Sequence, residues 1–181
     1  MKTSEKTQFG FSMIEVLVTL ILVSVGVLGM VALQARTIQF TQDSVQRNVA
    51  ATLANDLVEL IRATPTGLPA TSGFYKAEGQ AFPDTPSSCT PMPSTASAQL
   101  GCWVSKVKTA LPGVVSTEDG VADLLSSDFY VCRTNTANSC SGAGTAVEIQ
   151  IAWRTKAGEC MDPNDEEEDS TICRYRLRTQ I

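Results

Sequence analysis

From Phe11 to Leu33 the chain reads FSMIEVLVTLILVSVGVLGMVAL, 23 residues in which Glu15 is the only charged side chain. No other feature limits the fold as strongly. A helix of about 20 apolar residues, rising 1.5 Å per residue, crosses the roughly 30 Å hydrocarbon core of a bilayer, so this run is long enough to span one. Proline is absent until Pro65. After Arg36 the apolar positions Ile38, Val45, Val49, Leu53, Leu57, Leu60 and Ile61 recur at helical spacing, with polar residues such as Gln39, Gln42, Asp43, Gln46, Arg47 and Asn48 between them. The fully apolar helix thus passes into an amphipathic one with a single stripe to lay on a domain. Pro65, Gly67 and Pro69 end it. A helix over Phe11–Arg62 is about 78 Å long, too long to bury in one small domain.

The rest of the chain is different material. Residues 1–62 carry five basic and five acidic groups, so the whole formal charge of −5 lies after residue 62, together with all six cysteines and all eight prolines. A length of 181 residues allows one ordinary domain, or a smaller domain with an appendage. There is no histidine, which excludes Ser-His-Asp and Cys-His nucleophiles, imidazole bases and zinc sites with a His ligand. The acidic balance argues against nucleic acid as a partner, because phosphate binding needs a basic face. An even number of cysteines fits disulfides in an oxidising compartment, and no Cys-x-x-Cys pair supports a thioredoxin-like or zinc-knuckle motif.

Two ordinary accounts of the apolar run leave something over. A cleaved secretory signal has an apolar region of about 7–15 residues and small residues before the cut. This run is longer, and in Ala32-Leu33-Gln34-Ala35 the bulky Leu33 spoils an Ala-x-Ala site. A plain membrane anchor fits the composition but not Glu15. A carboxylate within hydrocarbon costs about 2.5–3.5 kcal/mol even on the lenient insertion scale, so it calls for a partner. Gly26 and Gly29 each weaken the helix by about 1 kcal/mol relative to alanine, and close packing against another helix accounts for them.

Gly10-Phe11-Ser12-Met13-Ile14-Glu15-Val16-Leu17, preceded by a short leader with Lys2 and Lys6, resembles the class III signal of type IV pilins and pseudopilins. The resemblance implies a cut between Gly10 and Phe11 by a prepilin peptidase that also N-methylates Phe11. It implies an assembly role for Glu15, whose carboxylate would pair with the new ammonium of Phe11 on the same or a neighbouring subunit. Residues 1–10 would be a removed leader, 11–35 the transmembrane and filament-core half of the long helix, and 36–62 its amphipathic half. Residues 63–181 would form the periplasmic, later extracellular, head. Loss of residues 1–10 removes Lys2, Lys6 and Glu5, taking the chain from 181 residues and −5 to 171 and −6. The stretch GFSMIEVLVTLILVSVGVLGMVALQ, with Leu111-Pro112-Gly113 after a Trp-containing helix, further resembles minor pilins of the type IV pilus modification group. That likeness implies priming of pilus assembly and a place in the tip complex. The partners implied are other minor pilins, the major pilin, a tip adhesin and inner-membrane lipid before assembly, with no cofactor. Major pilins often carry a helix-kinking proline that Val31, Ala32 and Leu33 lack. Type II secretion pseudopilins share the N-terminal signal, and a tethered periplasmic enzyme or sensor is the remaining alternative.

The acidic part reads as α+β. Pro69–Gln99, rich in Pro, Ser, Thr, Ala and Gly, is loop, tied down by Cys89. Leu100, Trp103, Val104, Val107, Ala110 and Leu111 mark a short amphipathic helix that Pro112-Gly113 stops. Four segments look extended: Val114–Thr117, Asp128–Arg133, Ala146–Thr155 and Ile172–Gln180. In the third, Val147, Ile149, Ile151 and Trp153 alternate with Glu148, Gln150, Ala152 and Arg154. In the fourth, Cys173, Tyr175 and Leu177 alternate with Arg174, Arg176 and Arg178. The expected architecture is the pilin fold, the long helix packed on a four-stranded antiparallel sheet. Six cysteines allow fifteen pairings. Neighbours are the expected pairs: Cys89–Cys102, Cys132–Cys140 and Cys160–Cys173. The acidic run Asp162, Asp165, Glu166, Glu167, Glu168, Asp169 lacks the glycine and terminal acid of a calcium loop, and reads as a solvated hairpin tip. The three arginines of the last strand would be its electrostatic partners, or a guard against unwanted strand pairing. No spacing singles out a catalytic nucleophile and base, or a metal site.

Overall fold

The computed structural model describes residues 12–64, 71–116, 123–157, 159–160 and 171–180. Helix α1 covers Met13–Arg62, α2 Ala96–Ala110 and α3 Leu124–Ser127, followed by strands β1 Tyr130–Thr134, β2 Ala146–Arg154 and β3 Ile172–Gln180. The chain divides into two compact units, Met1–Gln39 and Phe40–Ile181. Gly10, Phe11 and the acidic run of residues 162–169 lie outside the described residues, as do Pro65 to Ala70.

The core belongs to the second unit. Ala50, Leu53, Ala54, Leu57, Val58 and Ile61 bury one stripe of α1 against Leu100, Trp103, Val104 and Val107 of α2 and the apolar face of the sheet. Asp43, Ala50 and Leu57 stand seven apart on this stripe, and the Asp43 carboxylate is held 3.8 Å from the Arg47 guanidinium. Ile38 and Val45, expected on the stripe, are 59 % and 52 % exposed. The true stripe runs through the small residues Ala50 and Ala54, where close approach is possible, and Val45 falls beside it. Trp103 donates from Nε1 to Leu53 O at 2.8 Å, joining α2 to α1 through the one polar atom of a buried ring.

Helix α2 starts earlier than its apolar spacing suggests. The Thr95 hydroxyl caps it by accepting from Ala98 N, so the last residues of the expected loop are its first turn. Gly101 then allows a close approach, since a methyl there would stand 2.5 Å from Asp84 O. The disulfide Cys89–Cys102 fixes the same loop to the same turn.

Among the described residues the sheet has three strands, ordered β1-β2-β3 and antiparallel throughout, and not the four expected. Val114 leaves a turn at Gly113, whose φ is +62°, and buries its side chain without joining a ladder. The place beside β1 is taken instead by a single antiparallel bridge, Lys76 with Val131. That pairing stops because the chain turns at Gly79, whose N–H reaches Ser126 O at 2.8 Å. Asp128, expected in the strand, is the helical C-cap of α3, and β1 begins at Tyr130. Thr155 lies just past the end of β2.

Strand β2 is central, and both of its faces are buried. Val147, Ile149, Ile151 and Trp153 face the core as their alternation predicts. The opposite residues Glu148 and Gln150 are also buried, at 1 % and 4 % exposure. Their polar atoms are satisfied: Tyr130 O–H donates to Glu148 at 2.6 Å and Asn138 N–H donates at 3.1 Å. Gln150 donates to Asp128 O at 2.7 Å and accepts from Arg176. Alternation identified the strand but could not show that its polar face is covered. The structure also joins Cys132 to Cys140, at the hairpin after β1, and Cys160 to Cys173, at the start of β3.

Candidate functional site

The first turn of α1 forms as Ser12 O accepts from Glu15 N at 3.0 Å and Val16 N at 3.3 Å. Glu15 therefore sits at the positive end of the helix dipole, where a carboxylate is favoured. Beyond it the helix carries its apolar side chains on every face. Met13 is 88 % exposed and Leu33 72 %, and an 18-residue window of mean hydropathy 2.8 has none of its residues buried. A surface of this extent needs lipid or other helices around it. The polar side chains within the run are satisfied locally. Thr19 donates to Val16 O and Ser24 to Ile21 O, at 2.9 and 2.8 Å. Among the described residues Glu15 has no such partner. A methyl added at Gly26 or Gly29 would meet nothing within 4 Å, so nothing among the described residues accounts for these helix-weakening residues. The element is thus completed by something outside the described chain.

Residues 6–31 match the model of the prokaryotic N-terminal methylation motif. Residues 32–106 match the Tt1218-like model, described as type IV pilin Tt1218. The two abut, and together they run through the helix and into the second unit. The chain belongs to the type IV pilin family. No curated protein and no solved structure matches it. The family is structural and not enzymatic. Membership implies processing by a prepilin peptidase and assembly with other pilins, and the apolar helix with its prepilin motif is consistent with membrane anchoring.

In this pilin the motif residues divide between described and undescribed chain. Gly10 and Phe11 precede the described residues, whereas Glu15 is placed and exposed. The Leu111-Pro112-Gly113 sequence is the joint where α2 meets the end of β2. Leu111 N bonds Val107 O at 3.1 Å, and Pro112 O accepts from Arg154 N at 3.1 Å. Gly113 is required twice over, by its positive φ and because a methyl would lie 2.5 Å from Arg154 Cβ.

Several features of the second unit were not visible in the sequence. Lys76, 2 % exposed, donates from Nζ to Ser126 O at 2.9 Å and to Phe129 O, so a cation closes off the carbonyls around α3. Burial lowers its pKa to about 8, partly offset by the negative charges of Glu78, Asp128 and Asp123. Burial and the bond to Glu148 push the Tyr130 phenol well up. The arginines of β3 are also committed: Arg174 reaches Asp128 Oδ1 at 2.7 Å, Arg176 bonds Gln150, and Arg178 bonds Asn135 O at 2.6 Å. A cleft of about 390 Å³ is lined by Gln42, Asp43, Gln46, Arg154, Lys156 and Glu159 among others. Its Glu159 carboxylate accepts from Thr155 and Lys156 N, and so braces the loop after β2.

Proposed function

We propose that the protein is a minor pilin of type IV pili, which helps to prime assembly and takes a place in the tip complex with other minor pilins. The observation that carries this reading is Glu15. It is an exposed carboxylate with no partner among the described residues, in the first turn of a wholly exposed apolar helix, four residues after the expected cleavage point. Docking against a neighbouring subunit gives that charge a partner. Because an ion pair in hydrocarbon is poorly screened, it sets the axial register of otherwise featureless helices. The likeness to minor pilins of the modification group supports the choice within the family. Before assembly the protein sits in the inner membrane, with its N-terminus cytoplasmic and its head periplasmic. It has no turnover.

Deleting the gene tests this reading against a type II secretion pseudopilin. Loss of surface pili and twitching, with exoprotein export intact, is the expected result; loss of export with normal pili would overturn it. The mass of the mature N-terminus, expected to be that of N-methylated Phe11, checks the processing step. An intact leader would count against both assemblies and favour a tethered periplasmic protein.

A further inference from the structure

Strand β3 carries a surface that the assembly role of α1 does not use. It pairs with β2 over nine residues in unbroken register, without a bulge or proline. Among the described residues no strand pairs with its other side. The direction of its backbone groups follows from two observations. Val131 exchanges both its backbone bonds with Lys76, away from β2, and Thr155 N bonds Thr171 O in the β2–β3 ladder. In an antiparallel ladder the bonded pairs alternate. Odd-numbered residues of β3 therefore bond β2, and the N–H and C=O groups of Arg176, Arg178 and Gln180 point outward.

Edge strands are commonly guarded by charges that project across them. Here the guanidinium groups of Arg176 and Arg178 turn inward over the sheet, to Gln150 and to Asn135 O. They leave a positively charged shoulder on one side of the edge. On the other side Tyr175 and Leu177 are only partly buried against the core, an apolar shoulder. We infer that the open edge of β3 accepts a strand from another protein, an extended segment whose residues alternate between acidic and apolar. Its main chain bonds the outward groups of residues 176–180. Its acids lie beside Arg176 and Arg178, and its apolar residues cover Tyr175 and Leu177. This holds for a pilus and for a secretion pseudopilus alike, so it stands or falls separately from the proposed function.

The test uses the full chain in detergent micelles and a labelled nine-residue peptide alternating valine and glutamate. We expect saturable binding, with amide exchange slowed at Arg176, Arg178 and Gln180. Arg178→Pro removes one outward N–H at a position where an edge strand tolerates proline, and should weaken binding about tenfold with the unfolding midpoint retained. The matching valine–lysine peptide should bind less tightly by at least the same factor. Equal binding of the two peptides, or unchanged binding by a folded Arg178→Pro variant, would overturn the proposal. So would outward amides already slow to exchange before peptide is added, whether through the chain itself or, if the slowing grows with protein concentration, through a second copy. Should the proline variant not fold, the exchange pattern of the unaltered protein decides alone.

Discussion

A carboxylate in the first turn of an apolar helix gains from the helix dipole and loses heavily once hydrocarbon surrounds it. Glu15 contributes nothing to the core, which contains no residue before Ala50. Glu15→Ala should therefore leave the second unit folded and the helix inserted, while incorporation into the assembly falls. Immunoblots of sheared surface filaments against the membrane fraction measure this, and wild-type incorporation of the variant would remove Glu15 from the docking step. Lys76 poses the opposite case, a buried charge within the domain. Its pKa is lowered to about 8 in the folded chain from 10.5. Between those values the unfolded chain holds a proton that the folded chain lacks, so stability rises with pH across that window and is flat below it. Above about pH 10 the raised Tyr130 phenol acts in the other direction, because only the unfolded chain then ionises. Urea unfolding of the wild type and of Lys76→Met from pH 7 to 10.5 should show the rise in the first and its loss in the second. The comparison rests on the slope, since removing the ammonium also strands the Ser126 and Phe129 carbonyls.

Helix α1, α2 and the strands β2 and β3 were legible because each is long enough to show its period, and because each has one face built from large apolar residues. The strand expected at Val114–Thr117 does not form among the described residues, and its failure was not legible. Val114 and Val115 have the right residue types, but the turn at Gly113 aims the chain into the core, and a one-residue bridge at Lys76 occupies the sheet edge. The burial of Glu148 and Gln150 was equally hidden, because it depends on Tyr130, Asn138 and Arg176 arriving from distant positions. Of the candidate assembly residues, the sequence marked Glu15 by its isolation in an apolar run, whereas the edge of β3 emerges only from the ladder. The loop before α2 shows how a segment without period is nonetheless fixed. It is held by the Thr95 cap, the bare backbone of Gly101 and the Cys89–Cys102 bond, which closes a separation of 13 residues. Replacing both cysteines with serine should lower stability by about 3 kcal/mol on the loop-entropy estimate. Limited proteolysis should then cut first between Asp84 and Thr95, and a variant as stable and as resistant as the wild type would show the bond to be dispensable.

The two units answer to different solvents. The first is an apolar helix whose surface is satisfied only by lipid or by other helices. The second has a closed core in which α1 takes part from Ala50 onward, with Val49 packed against its margin. All three disulfides and the whole negative charge excess also lie within residues 63–181. No described residue before Phe40 therefore belongs to that core, and none of the cysteines lies there, while residues from Phe40 to Arg62 supply one wall of the domain. A chain beginning at Phe40 should fold without detergent, form the same three disulfides and keep the pH response of Lys76. A chain beginning at Thr64 should not, because it loses Leu53, Leu57 and Ile61, each worth about 2–5 kcal/mol as a buried large side chain, and leaves Trp103 Nε1 without Leu53 O. Near-ultraviolet circular dichroism and a disulfide mass map of the two fragments decide the matter. A disordered Phe40 fragment would mean that the membrane-facing half of α1 is part of the folding unit. A folded Thr64 fragment would mean that the second half of α1 is only laid on a domain already complete.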